Sequence, residues 1–184
     1  MAHPLLLVIP AVALPALALF VERAGRVRIS ERHHSHHDTY VVPVSFTRSL
    51  VIAMAFMGCL GIVLAVACAM VEFFPTPDDV LVFFDSFIAT AFLMWWVIRR
   101  YKVSVFSDHL VVTPFFGSHV LVLYDEIDLL EWAGTRKGSG YRDLVIWAGG
   151  HGTVRISGMV DVEQILMAID RFDALPRVKG GILS

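Results

Sequence analysis

The sequence predicts three membrane-spanning α-helices followed by a small α+β domain. Three observations carry that prediction. All fifteen Lys and Arg residues lie between Arg23 and Arg48 or from Arg99 onward. Three apolar stretches, 5–21, 50–71 and 80–98, flank or separate those blocks, the first two uncharged and the third holding only Asp85. From Tyr101 the apolar period shortens to two residues. At 184 residues, 57% hydrophobic and a mean hydropathy of +0.68, the chain is too apolar for an ordinary soluble domain.

A helix needs roughly 20 mostly apolar residues to cross about 30 Å of hydrocarbon. Segment 50–71 meets that outright. Segment 80–98 meets it at the cost of Asp85, about 2.5 to 3.5 kcal/mol at a helix centre and less near an end. Eleven Leu, Ile, Val and Phe residues in the same stretch each contribute about 0.3 to 0.6 kcal/mol and outweigh it. The first segment, LLLVIPAVALPALALFV, is shorter and contains Pro10 and Pro15, which bilayers tolerate better than water does. A cleaved secretory signal is the alternative. Such a signal carries basic residues before its apolar core, whereas Arg23, Arg26 and Arg28 follow this one. The expectation is an uncleaved anchor.

Orientation follows from the positive-inside rule. Segment 22–49 holds five arginines, the turn after the second span holds Glu72, Asp78 and Asp79, and Arg99, Arg100 and Lys102 follow the third. This predicts the N-terminus outside, a His-rich cytoplasmic loop 22–49, an acidic outer hairpin, and residues 99–176 in the cytoplasm with a 177–184 tail, in a cell inner membrane. Trp95 and Trp96 would form an aromatic belt at the cytoplasmic interface. Gly61, Ala65 and Ala69 make a small-residue stripe that lets backbones approach. It suits packing within the hairpin first and a homo-oligomer second. Cys59 and Cys68, nine residues apart on one helix, are too distant for a bridge within the chain.

In the C-terminal part, Val103 and Val105 alternate with Lys102 and Ser104. Leu110 and Val112 follow a Ser107-Asp108-His109 turn, and Val120, Val122 and Tyr124 follow Pro114-Phe115-Phe116-Gly117. These runs, with Leu144–Trp147, Thr153–Ser157 and the acidic run from Asp125 to Glu131, which reads as the polar side of a strand or its entry turn, make six candidate antiparallel strands. Asp161 stands three residues before Gln164, a capping arrangement. Val162, Ile165, Leu166, Ile169 and Phe172 then form one apolar stripe of a closing helix.

The run from Tyr101 to Gly117, the Tyr124-Asp-Glu-Ile-Asp segment, the late strand pair and the terminal helix resemble bacterial membrane-anchored pleckstrin-homology-like (PH-like) domains. The resemblance covers roughly 99–175 and the preceding hairpin. It implies a bent antiparallel sheet or partial barrel plugged by the C-terminal helix, and no reaction. That fold uses seven strands, one more than the six counted; Arg26–Ser30 or Tyr40–Phe46 is the candidate for the seventh.

Three sets of residues are candidates for chemistry. His33, His34, His36, His37 and Asp38 offer imidazole and carboxylate ligands for zinc, nickel or copper, or a group that gains charge between about pH 5 and 8. The plain alternative is a solvated polar tract without groups to orient its ligands. Arg136, Lys137 and Arg142, around Gly138-Ser139-Gly140, are candidate contacts for phosphate or lipid headgroups, or simply a hairpin tip. Asp85 is a candidate intramembrane functional acid. From Arg99 onward ten basic residues balance ten acidic ones, which argues against nucleic acid as a partner. No nucleophile elbow, phosphate-binding loop or zinc-protease helix is present in the sequence. The function expected is a non-catalytic, membrane-held binding or scaffold module, without cofactor, whose partners are the bilayer and a protein. The alternatives are a pH- or metal-responsive sensor using the His33–His37 loop, and an accessory subunit of a larger membrane enzyme or transporter.

Overall fold

The computed structural model describes residues 4–30, 38–70, 75–133, 142–149 and 152–175. The chain forms two compact units, Met1–His34 with Val44–Arg99, and Ser35–Pro43 with Arg100–Ser184.

Among the described residues of the first unit, three helices are long and apolar enough to cross a membrane: α1 (Pro4–Ser30), α2 (Val44–Met70) and α3 (Pro77–Arg100). Thr76 and Asp79 cap α3 reciprocally. The Thr76 hydroxyl donates to the Asp79 carboxylate at 2.7 Å, and the Asp79 N–H donates back to the hydroxyl at 3.4 Å. Pro77 then opens the first turn, where a missing N–H costs nothing. The buried residues of α2 are Thr47, Val51, Met54, Gly58, Gly61 and Ala65, and those of α3 are Leu81, Phe84, Ile88, Ala91, Trp95 and Ile98. Both series alternate steps of three and four, so each helix turns one seam inward. On α1 the small residues Ala11, Pro15 and Ala18 are buried. A Cβ on Gly58 would sit 2.5 Å from the Ala11 carbonyl oxygen, and one on Gly61 would sit 2.8 Å from Phe84 Cβ. Gly61 and Ala65 therefore face inward within this unit, while Ala69 is exposed.

Trp95 departs from the expected belt. It is completely buried in a core with Ala11, Ala18, Val51, Met54, Ile88 and Ala91, whereas Trp96 is 58% exposed. Helical period separates the two neighbours by about 100°, and the 88–91–95–98 seam takes Trp95.

The described residues of the second unit form two antiparallel sheets. The first orders β1 (Asp38–Val41), β2 (Lys102–Val105), β3 (His109–Thr113) and β4 (Val120–Leu123) as β1-β2-β3-β4. The second orders β5 (Ile127–Ala133), β6 (Asp143–Ala148) and β7 (Gly152–Ile156) as β5-β6-β7. The seventh strand is thus β1, supplied by the segment between the first two helices and paired Asp38 to Val105 and Tyr40 to Val103. Of the two candidate stretches, Arg26–Ser30 continues α1 instead, and Val44–Phe46 begins α2. Pro43 separates strand from helix, since it cannot donate to a ladder but suits the approach to a helix.

Inward residues Val103, Val105, Leu110, Val112 and Val122 of the first sheet are buried, as are Leu130, Leu144, Ile146, Val154 and Ile156 of the second. The helix α4 (Val162–Ile169) buries Val162, Ile165, Leu166 and Ile169. Its cap is as the spacing predicts: the Gln164 N–H donates to Asp161 Oδ1 at 3.0 Å. The helix stops before Phe172. Asp170 takes a left-handed conformation (φ 53°) and its N–H donates to the Leu166 carbonyl, a geometry Asp tolerates better than most residues. Phe172 falls in a short 3-10 turn, Phe172–Ala174, and is half exposed.

Candidate functional site

In the first unit, one polar cluster joins α1 to α3. The Trp95 indole N–H donates to Glu22 Oε1 at 3.1 Å, the Arg99 guanidinium lies over the Trp95 ring at 4.9 Å, and Arg99 Nε is 4.0 Å from the same carboxylate oxygen. The four-residue step from Trp95 to Arg99 places both on one helix face, and Glu22 comes from the far end of α1. Glu22 read in sequence only as a loop charge. Its signal was its place directly after an apolar run, toward the C-terminal end of α1, level with the Trp–Arg end of α3, the helix that runs in the same direction.

Asp85 sits on α3 beside the buried seam. Both carboxylate oxygens are shielded from solvent and have no hydrogen-bond partner among the described residues. Nearby Ser86 and Thr90 donate instead to the carbonyls of Val82 and Ser86 within their own helix. An unsatisfied buried polar group costs about 1–3 kcal/mol, more when charged, so Asp85 is a destabilising feature of this helix as it stands.

In the second unit, Asp38 begins β1 and is exposed; His33, His34, His36 and His37 lie outside the described residues. Among the described residues no group of three or more His, Cys, Asp or Glu is placed to hold a metal. Arg142 stands half-buried just before β6, with its backbone against Gly158, while Arg136 and Lys137 lie outside the described residues. The nearest arrangement to an acid–base pair is His109 Nδ1 with Asp108 Oδ1 at 2.6 Å, the imidazole stacked on Phe106 at 4.5 Å. Phe106, Asp108 and His109 are neighbours in one turn, and the pair orders that turn.

Three tyrosines brace the domain. Tyr101 accepts the Ser157 N–H at 2.7 Å, Tyr124 donates to the Phe106 carbonyl at 2.7 Å, and Tyr40 pairs with Val103 on the inward face. Burial raises the pKa of all three, and Asp108 helps push Tyr124 up to about 12. A folded state that holds these protons above tyrosine's ordinary pKa of about 10 is undiminished below that pH. Its stability falls as pH rises from about 10 through about 12, because ionisation then favours the unfolded chain. An alkaline titration of the detergent-solubilised protein, followed by tyrosinate absorbance and circular dichroism, is expected to show unfolding in that window. Tyr124→Phe should weaken the pH dependence while costing about 1 kcal/mol at neutral pH through the lost hydrogen bond. An unchanged alkaline limb would contradict this assignment.

Arg171, just past α4, donates to the carbonyls of Tyr124 and Ile127 and pairs with Asp173 at 3.0 Å, tying the chain after α4 to the start of β5. Solvent-facing sides of the sheets carry apolar residues: Leu121 and Leu123 on β4, and Leu129 paired with Trp147 across β5 and β6, Trp147 being 45% exposed. The loop after β3 exposes Phe116 more fully still, at 75%. Sequence reasoning took Pro114–Gly117 as a turn and passed over its two aromatics. Successive Phe residues where turns usually hold polar ones were the available signal.

The arrangement offers surfaces and braces, and the described residues bring together no nucleophile with a base and an orienting partner. Comparison of the chain with protein-family models, with curated proteins and with solved structures finds no match.

Proposed function

We propose that this chain is a three-span inner-membrane protein of bacterial type that displays a cytoplasmic PH-like domain as a non-catalytic binding or scaffold module. The observation that carries the reading is β1. With it the described residues of the domain form seven strands followed by a helix, the number that the resemblance calls for. Because β1 lies between α1 and α2 and β2 follows α3, the chain passes between the two units three times, at His34–Ser35, Pro43–Val44 and Arg99–Arg100. The exposed Leu129–Trp147 pair and the β4 edge, with Leu121 and Leu123, are surfaces of the kind that protein partners cover.

The test is purification from native membrane in mild detergent, comparing wild type with Trp147→Ser. A co-purifying protein lost in the variant is expected, with a thermal transition within about 0.5 kcal/mol of wild type, as for an ordinary surface change. Stoichiometric multi-span partners would make the chain an accessory subunit, and no retained protein would refute the reading. For orientation, Thr153→Cys in a background lacking Cys59 and Cys68 should resist an impermeant maleimide applied to intact cells. A sensor reading is favoured by one fact: the histidine tract runs directly into Asp38 of β1. Hydrogen exchange in β1 that does not change from about pH 7.5 to about pH 5.5, a range bracketing histidine's ordinary pKa of about 6.5, would remove it.

A further inference from the structure

We propose that the Pro114–Gly117 loop is an interfacial anchor whose Phe116 ring seats in the headgroup layer of the bilayer where α3 leaves it; the proposal rests on the reading of the three helices as membrane spans. Phe116 is 75% exposed, more than any other large apolar residue described in the second unit. Its two neighbours are held. The Arg100 guanidinium donates to the Gly117 carbonyl, and the Phe115 ring stacks on Tyr101 with centroids 4.5 Å apart and planes 22° from parallel. Tyr101 is itself buried and fixed by the Ser157 N–H. Gly117 adopts φ 93°, which lets the chain reverse immediately after the exposed ring.

Both holding residues matter because of where they stand in the chain. Arg100 is the last residue of α3 and Tyr101 the next. One arginine side chain and one hydrogen bond separate the loop from the end of a helix long and apolar enough to span. A protein partner at this spot would have to compete with lipid headgroups. The lipid surface is the occupant that the attachment itself brings within reach. An aromatic ring with one apolar body suits that layer, about 5–10 Å deep for interfacial groups. Arg100, which holds the loop, and Lys102, paired with Thr113 just before it, are cations that suit anionic headgroups.

The experiment uses the full chain in lipid nanodiscs, with Cys59→Ala and Cys68→Ala and a single nitroxide at Phe116→Cys. Reference labels go at Phe56→Cys, outward on α2, and Arg155→Cys, exposed on β7. The ratio of oxygen to nickel-chelate collision rates reports depth. At 116 the ratio is expected several-fold above that at 155 and below that at 56. A ratio at 116 equal to that at 155 overturns the anchor while leaving the spans intact. Low collision with both reagents at 116 means a protein covers the ring and also overturns it. Should 56 itself match 155, the helices are outside the bilayer, and both the membrane reading and the anchor fall.

Discussion

Trp95→Ala is expected to cost about 3–5 kcal/mol of stability, the range for deleting a large buried aromatic. Two losses add. The indole is completely buried among Ala11, Ala18, Val51, Met54, Ile88 and Ala91, most of them too small to fill the space it would vacate. In lipid, helices are held together by such van der Waals contact rather than by exclusion of water, so a void is not relieved by hydrophobic collapse. The second loss is polar. Removal of the indole N–H leaves Glu22 without its 3.1 Å donor, and Arg99 without the ring beneath its guanidinium. Trp95→Phe separates the two by keeping most of the volume while deleting the donor, and should cost about 1–3 kcal/mol. Unfolding in detergent, by heat or by titration with SDS, measures both. A Trp95→Ala penalty below about 1 kcal/mol would mean that the indole is not a packing element.

Gly58→Ala should destabilise the same unit by about 1–3 kcal/mol, the usual cost of overpacking. In an exposed soluble helix this substitution would gain up to about 1 kcal/mol in propensity. Here the new methyl would lie 2.5 Å from the Ala11 carbonyl oxygen and 3.7 Å from Ile88 Cδ1. The obstacle at 2.5 Å is backbone, which no rotamer change can clear, so α1 as a whole must retreat from α2. Ala69→Leu is the control. Ala69 is exposed on the same helix, and its enlargement should stay within about 0.5 kcal/mol of wild type. If Gly58→Ala is as stable as wild type, α1 does not approach α2 this closely.

Local patterns in the sequence carried the elements whose causes are local. An apolar run of helix-spanning length is visible without its neighbours, and so a span was expected within each of the three long helices, although α1 runs on to Ser30 and α2 begins at Val44, both inside the segment expected as a loop. Period-two alternation marked β2, β3, β4, β6 and β7, and the Asp161–Gln164 spacing marked the start of α4. Asp170 shows the limit even of local reading, since an apolar stripe continuing to Phe172 gave no sign that a left-handed residue would end the helix first.

Other features arise from residues far apart in the chain. Asp38 and Val105 meet because a sheet needs an edge strand and a short segment between two helices can reach it, and nothing in Asp-Thr-Tyr-Val names that partner. Trp95 and Trp96 are indistinguishable in sequence, and only the packing of three helices chose one for the core. Glu22 acquires a role from a tryptophan 73 positions away, Gly58 from a carbonyl on α1, and the Gly117 carbonyl from an arginine at the end of α3. By itself, then, the sequence determined which segments are apolar enough to span and which alternate as strands, because transfer energy and backbone period act within a segment. The tertiary structure alone decided which strand completes the sheet, which indole is buried and which ring is left exposed, because pairing and packing are set between segments.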